Sequence, residues 1–251
     1  MDTARGTWLI FHRQLTQLIR NPVWIFLGIF EPLTYLLLFA PLLKSALGAS
    51  SSGEAYTMFV PGLLVLLAIF GGLFQGFGLL VELRAGVIER SRVTPISRLA
   101  MLLGRSLRDV VVLLCQCVLI TLLALPFGLR VHLVDLLLAF LLVSLIALST
   151  SAASNGVALA LKSEATLSPI INTISQPLLL LSGILLPMAL APLWLQHVAK
   201  WNPFSWAVGG MRALFAGDVG ADVVWQSVTI VAVLAAAAVV WSSRQFGRSV
   251  R

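Results

Sequence analysis

The chain has 251 residues, 59% of them hydrophobic and only 11% charged, with a mean hydropathy of +0.99. No water-soluble core can hide that much apolar surface, so the composition excludes a soluble globular domain and points to an all-α membrane protein. The net charge of +7 is read as membrane topology and contact with anionic lipid, in preference to nucleic-acid binding.

Residues 4–20 place Trp8, Phe11, Leu15 and Leu18 at spacings of three and four, with Ile19 beside them and His12, Arg13, Gln17 and Arg20 between. That pattern predicts an amphipathic helix lying along the inner leaflet and ending at Asn21-Pro22. The stretch has no compact apolar core followed by a small-residue cleavage site, so it is not read as a signal peptide.

A helix needs about 20 residues to cross a hydrocarbon core of about 30 Å. Uncharged intervals of that order predict six spans at about 23–43, 58–81, 108–129, 135–157, 166–187 and 222–242. With both termini in the cytoplasm, the inner segments hold Arg5, Arg13 and Arg20, the six arginines from Arg84 to Arg108, Lys162, and Arg244, Arg248 and Arg251. Only Lys44, Arg130, Lys200 and Arg212 then fall outside, as the positive-inside bias requires.

Glu31 interrupts the first span. An ionised acid at a helix centre costs about 2.5 to 3.5 kcal/mol on insertion scales, so it is expected to be neutral, interfacial or paired. Gly28, Thr34 and Tyr35 share its face and Pro32 follows it. It is open to three roles: a hydrogen bond to a neighbouring helix, a gating contact, or a proton-carrying site. Gln75, among Gly71, Gly72, Gly76 and Gly78 in the second span, and Ser144, Ser151 and Asn155 in the fourth, serve either helix packing or a substrate route. Cys115 and Cys117 point about 200° apart on a helix, which suits packing and neither a metal clip nor a disulfide.

Residues 82–107 form the connector between the second and third spans. Its arginines are interspersed with Glu82, Glu89 and, at its edge, Asp109, while Thr94-Pro95 divides it. Mixed signs favour a directed docking surface over a loop that merely touches lipid.

The fifth span carries Ser168, Asn172, Ser175 or Gln176, and Ser182 roughly on one face, together with Pro169, Pro177 and Pro187. Beyond it, Ser182-Gly183 and Pro187 can end a helix, Trp194, Trp201 and Trp206 suit the headgroup level, and Asn202-Pro203 marks a second break. Short helices dipping back from the outer face over 188–217 are expected in preference to an ordinary loop, since a loop would expose many apolar side chains.

No phosphate loop, HExxH, GxSxG or carboxylate pair is present, and His12, His132 and His197 flank different spans. No catalytic or metal site is therefore expected. Uphill transport would need an ion gradient or another polypeptide.

Three stretches now carry a resemblance: RNPVWIFLGIFEPLTYLLLF at 20–39, ERSRVTPISRLAMLLGRSLRD at 89–109, and SGILLPMALAPLWLQHVAKWNPFSWAVGGMRALF at 182–215. In order and spacing the chain resembles the ABC-2 type transporter permeases, in particular the daunorubicin-resistance-like drug exporters and the related lipo-oligosaccharide exporters. The resemblance covers nearly the whole chain and implies the type V exporter fold. It implies a homodimer of six-span permeases in the cytoplasmic membrane, bound to two cytoplasmic ABC ATPase subunits that carry the ATP and Mg; no cofactor is implied on this chain. Residues 4–20 resemble the interface helix, and 89–98 the coupling helix, with Glu89, Arg90, Arg92, Thr94, Pro95 and Arg98 in the matching pattern. Ser182, Gly183, Pro187, Asn202 and Pro203 match the outer re-entrant region.

The resemblance leads to an expected function of exporting a hydrophobic drug-like or lipid substrate, as in antibiotic resistance. With two tyrosines, Tyr35 and Tyr56, and no aromatic ladder, a glycolipid, lipo-oligosaccharide or polysaccharide is the second choice. A proton-coupled carrier is disfavoured because Glu31 is an isolated acid and no inverted repeats are evident. A non-transporting assembly protein is the last alternative.

Overall fold

Every regular element among the described residues of this computed structural model, which are 3–20, 28–30, 32–38, 52–86, 98–184 and 188–248, is a helix. Helices satisfy their own backbone groups, which lipid cannot do. In chain order, α1 is Thr3–Ile19, a short apolar helix covers the described parts of 28–38, α2 is Ser52–Leu73 and α3 is Gln75–Arg84. Then follow α4 (Arg98–Ala124, closed by a 3-10 turn at Leu125–Phe127), α5 (Leu133–Leu161), α6 (Glu164–Ser182), a 3-10 turn at Met188–Leu190, α7 (Leu193–Ala199), α8 (Pro203–Phe215) and α9 (Asp222–Arg248).

Among the described residues, four stretches are long and apolar enough to cross a bilayer: Gly53–Arg84, which joins α2 and α3, then Ala100–Phe127, Leu133–Leu161 and Asp222–Phe246. The chain is thus a multi-pass membrane protein. The other two expected spans differ in kind. Around Glu31 the described helix is short, and Glu31 itself lies outside the described residues. α6 has 19 residues, but its two internal prolines and its Ser, Thr, Asn and Gln side chains leave it outside the four stretches apolar enough to cross.

α5 is the central post. Its second half, STSAASNGVALA, is small and weakly polar, which lets other helices approach closely. It packs along α9, α2, α3, α4 and α8. Against α2 and α3, Gly72 and Gly76 meet Thr150 and Ser154; a β-carbon on Gly72 would overlap the Thr150 hydroxyl, and one on Gly76 would sit 2.6 Å from the Ser154 hydroxyl. The two four-residue steps interlock as small-residue ridges.

α1 lies on the start of α4, where Gly104 makes room for Ile10 and the Thr7 carbonyl, 2.7 and 2.8 Å from where its β-carbon would stand. Phe11 and Gln14 are buried in that contact, while Trp8, Leu9 and Ile19 are exposed beside Arg13 and Arg20. Such a face suits a headgroup layer.

α6 stands at the periphery. It buries Leu167, Ile171, Ser175 and Ser182, and leaves Asn172, Thr173, Gln176 and Pro177 exposed. The single polar stripe expected on this helix is therefore split. Residues 175 and 176 lie about 100° apart on a helix, and the edge of the packed face falls between them.

Candidate functional site

The charged residues flanking the connector do not all face out. Glu82 and Asp109 stand among the arginines of the expected mixed-sign docking surface, yet in the fold both carboxylates turn to partners on neighbouring helices. Arg105 and Arg108 follow them. The apolar run LAMLL at 99–103 is the missed signal: α4 has begun to enter the bundle before these charges are reached, so they must be paired inside it.

Two layers of polar contacts result, one helical turn apart. In the first, Glu82 on α3 takes a hydrogen bond from the Gln14 amide of α1 through Oε1 (2.7 Å) and an ion pair from Arg105 of α4 through Oε2. One carboxylate thus joins three helices, and the Arg105 side chain is only 7% exposed. In the second, Asp109 is paired with its neighbour Arg108, whose Nε lies 2.9 Å from Oδ1, and accepts the Ser151 hydroxyl of α5 at 2.7 Å through Oδ2. Arg108 also donates to the side-chain oxygen of Gln75, Oε1, at 2.7 Å. The Asn155 amide donates to the Ser151 oxygen at 3.4 Å, while its own carbonyl oxygen is buried without a partner. Charge-assisted bonds of this kind keep all four ionised groups compensated in a low-dielectric setting.

Gln75 and Asn155 are thus linked through Arg108, Asp109 and Ser151. Gly76 belongs to the same region. Phe74 interrupts the helix between α2 and α3, and the Phe77 N–H turns to the Phe74 carbonyl at 3.2 Å instead of Leu73. Ser154 of α5 repairs the break: its hydroxyl accepts the Gly76 N–H at 3.1 Å and donates to the Leu73 carbonyl.

At the opposite end of the bundle, α6 stops at Ser182 and Gly183 takes a left-handed conformation with φ of 73°. Asn202 caps α8 by accepting the Phe204 N–H at 3.0 Å, and its amide reaches back to the Leu178 carbonyl of α6 at 3.2 Å. Pro203 occupies the first helical position, where a missing N–H is harmless. Arg212 of α8 donates to the Gly183 carbonyl at 2.8 Å. Sequence had singled out Asn202 and Gly183 for their backbone character; it carried no sign of Arg212. Trp194 and Trp201 are strongly exposed, and Trp206 donates to the Lys200 carbonyl at 3.0 Å.

Asn172 bonds its own helix, donating to the Ser168 carbonyl at 3.0 Å, and faces out with Gln176. Tyr35 is half-buried. Glu89, Arg90, Arg92, Thr94 and Pro95 lie outside the described residues, as do Glu31 and Pro187; Arg98 opens α4. Among the described residues, no three His, Cys, Asp or Glu side chains gather as metal ligands.

Residues 5–216 match the family described as ABC-2 type transporter. The ycf38 protein of Cyanophora paradoxa, whose name proposes a transport permease, is 28% identical over 212 residues, covering 83% of this chain and 73% of that protein. Its namesake in Porphyra purpurea is 27% identical over 210 residues, with coverage of 82% and 72%. DrrB1 of Streptomyces coeruleorubidus, named a daunorubicin resistance ABC transporter permease protein, is 26% identical over 201 residues, with coverage of 79% and 71%. The chain belongs to the ABC-2 type transporter family, as a membrane-embedded, non-catalytic permease subunit of the kind that works with ABC ATPase subunits.

Proposed function

We propose that this permease exports a hydrophobic, drug-like or lipid molecule across the cytoplasmic membrane, driven by ATP hydrolysed with Mg on two cytoplasmic ABC ATPase subunits. Two copies of the chain form the pathway, each with six spans, the α6 region and the helix around Glu31 supplying the two beyond the four apolar ones. Both termini and the connector lie in the cytoplasm. There Glu89, Arg90, Arg92, Thr94, Pro95 and Arg98 form the coupling segment, and α1 rests on the inner leaflet. The outer re-entrant region comprises α7 and α8, with Ser182, Gly183, Pro187, Asn202 and Pro203 at its breaks.

One observation carries the cargo side of this reading. α6 presents Asn172, Thr173 and Gln176 on a face that none of the other described residues covers. Polar groups left towards lipid are unfavourable, so that face is assigned to the route between the two copies. A mostly apolar wall with a few polar handles suits a lipophilic cargo, and the similarity to the daunorubicin permease DrrB1 points the same way. A glycolipid is the second choice, since the same amides can bind sugar hydroxyls. Proton coupling has less support: Asp109 is held by Arg108 and Ser151.

The test is purification from the native membrane followed by transport in inside-out vesicles. An ABC ATPase should be recovered with the permease, and ATP should drive daunorubicin, used as a lipophilic probe, into the vesicles. Reversing Arg92 and Arg98 to glutamate should lower ATPase recovery while leaving membrane insertion intact. A permease that copurifies with no ATPase and moves the probe equally well without ATP would refute the reading.

A further inference from the structure

The connector leaves α3 at Arg84 and re-enters the bundle at Arg98. A force on it could be absorbed by splaying α3 from α4, or passed on to the helices behind them. The polar contacts decide which. Glu82 stands two residues before the connector leaves, Arg105 seven residues after it returns, and their ion pair ties the two flanks directly. The same carboxylate holds Gln14 at 2.7 Å, which brings in α1. One turn deeper, Arg108 and Asp109 tie α4 to Gln75 of α3 and Ser151 of α5. Separating either layer would strand a charge away from water, so both resist opening.

Another tie among the described residues near the connector has a different character. Arg84 pairs with Glu164, at the start of α6, at 3.2 Å, with side chains 60% and 37% exposed. Solvated pairs of this kind bind weakly. The connector flanks are therefore stiffly joined to α1 and α5 and loosely joined to α6.

From this contrast we infer that Gln14, Glu82 and Arg105 are positioning residues that lock α1 to both flanks of the connector, so that a displacement of the docked ATPase moves α1, α3, α4 and α5 as one unit past α6. The inference rests on the docking role proposed for the connector and adds the route by which motion leaves it. Gln14 is the informative member, because its amide bonds Glu82 from a helix that the connector does not enter.

The test uses the permease with its copurifying ATPase in liposomes. Variants are Arg105→Gln, Gln14→Leu, and the exchanged pair Glu82→Arg with Arg105→Glu, in which the Gln14 amide can turn its oxygen towards the new guanidinium. Three quantities are read: ATPase recovered per permease, daunorubicin moved per ATP hydrolysed, and the spread of distances between spin labels at the exposed positions Gln17 of α1 and Val81 of α3. In Arg105→Gln and Gln14→Leu, ATPase recovery and hydrolysis should stay near wild type, daunorubicin moved per ATP should fall about tenfold, and the distance distribution should broaden. The exchanged pair should recover most of the loss. Unchanged transport per ATP, an unchanged distance distribution, or a loss that the exchange does not recover would each overturn the inference. Should Arg105→Gln fail to fold, Gln14→Leu, which deletes one hydrogen bond, carries the same test. If no ATPase is recovered even with wild type, the docking reading fails by itself, and the label distances measured on the permease alone still decide whether the lock exists.

Discussion

Ser154 completes the backbone of a helix to which it does not belong: from α5 its hydroxyl accepts the Gly76 N–H at 3.1 Å and donates to the carbonyl of Leu73, across the interruption at Phe74. In water these two groups would be solvated, but in lipid an open break must find a partner within the protein. The absence of a side chain at Gly76 lets α5 come close enough to supply one.

Ser154→Ala should therefore cost more than an ordinary loss of a hydroxyl, about 1 to 3 kcal/mol for the unsatisfied groups left behind. Thermal unfolding of the purified permease measures it. Ser154→Thr keeps the hydroxyl and tests whether the space tolerates one more methyl; it should also be destabilising, by overpacking against Gly76.

Asp109 holds Arg108 and Ser151 together. Asp109→Leu should lower stability by about 3 to 5 kcal/mol, because Arg108 would keep its charge and lose its counterion. Asp109→Asn retains a carbonyl oxygen for one Arg108 donor, so its loss should be smaller. The order of melting temperatures in the same detergent, wild type above asparagine above leucine, checks this; an asparagine variant as stable as wild type would mean that the charge of Asp109 is immaterial, and equal values for the two variants that the retained oxygen adds nothing.

Asn202 does two jobs that substitution can separate. Asn202→Ala loses both the cap on α8 and the bond to the Leu178 carbonyl, at about 1 to 2 kcal/mol for the cap alone. Asn202→Asp keeps the cap acceptor and loses only the donor. Unfolding followed for the three proteins should rank wild type first, the aspartate second and the alanine last.

Asn172 and Gln176 lie on the open face of α6. Replacing each with leucine should shift the stability of the isolated permease by no more than about 0.5 kcal/mol, as at other exposed sites, while ATP-driven daunorubicin uptake in vesicles should change at least severalfold. A loss of stability with unchanged transport would assign this face to packing and remove it from the cargo route.

How much of this was legible in advance varies with the distance between partners. The helical nature of the chain, the amphipathic start, the helix end at Gly183 and the break at Asn202-Pro203 all depend on residues a few positions apart, and composition and spacing report them. α6 was legible as polar, but the division of its stripe between Ser175 and Gln176 depends on how that helix is rotated against the bundle. The connector was legible as charged, whereas the inward turn of Glu82, Arg105 and Asp109 was not. A carboxylate beside arginines reads the same whether solvent or a buried guanidinium receives it.

Amino-acid sequence alone determined that this protein lives in a membrane, that its elements are helices, and that it belongs with the ABC-2 permeases, because hydropathy, period and motif order are properties of the linear chain. Only the tertiary structure decided which polar groups meet. Gln14 and Glu82 are 68 positions apart, Ser151 and Asp109 are 42 apart, and Ser154 and Gly76 are 78 apart. Such pairs depend on the rotation and register of whole helices against one another. Those are set by close packing of small residues such as Gly72 and Gly104, and no local pattern encodes them.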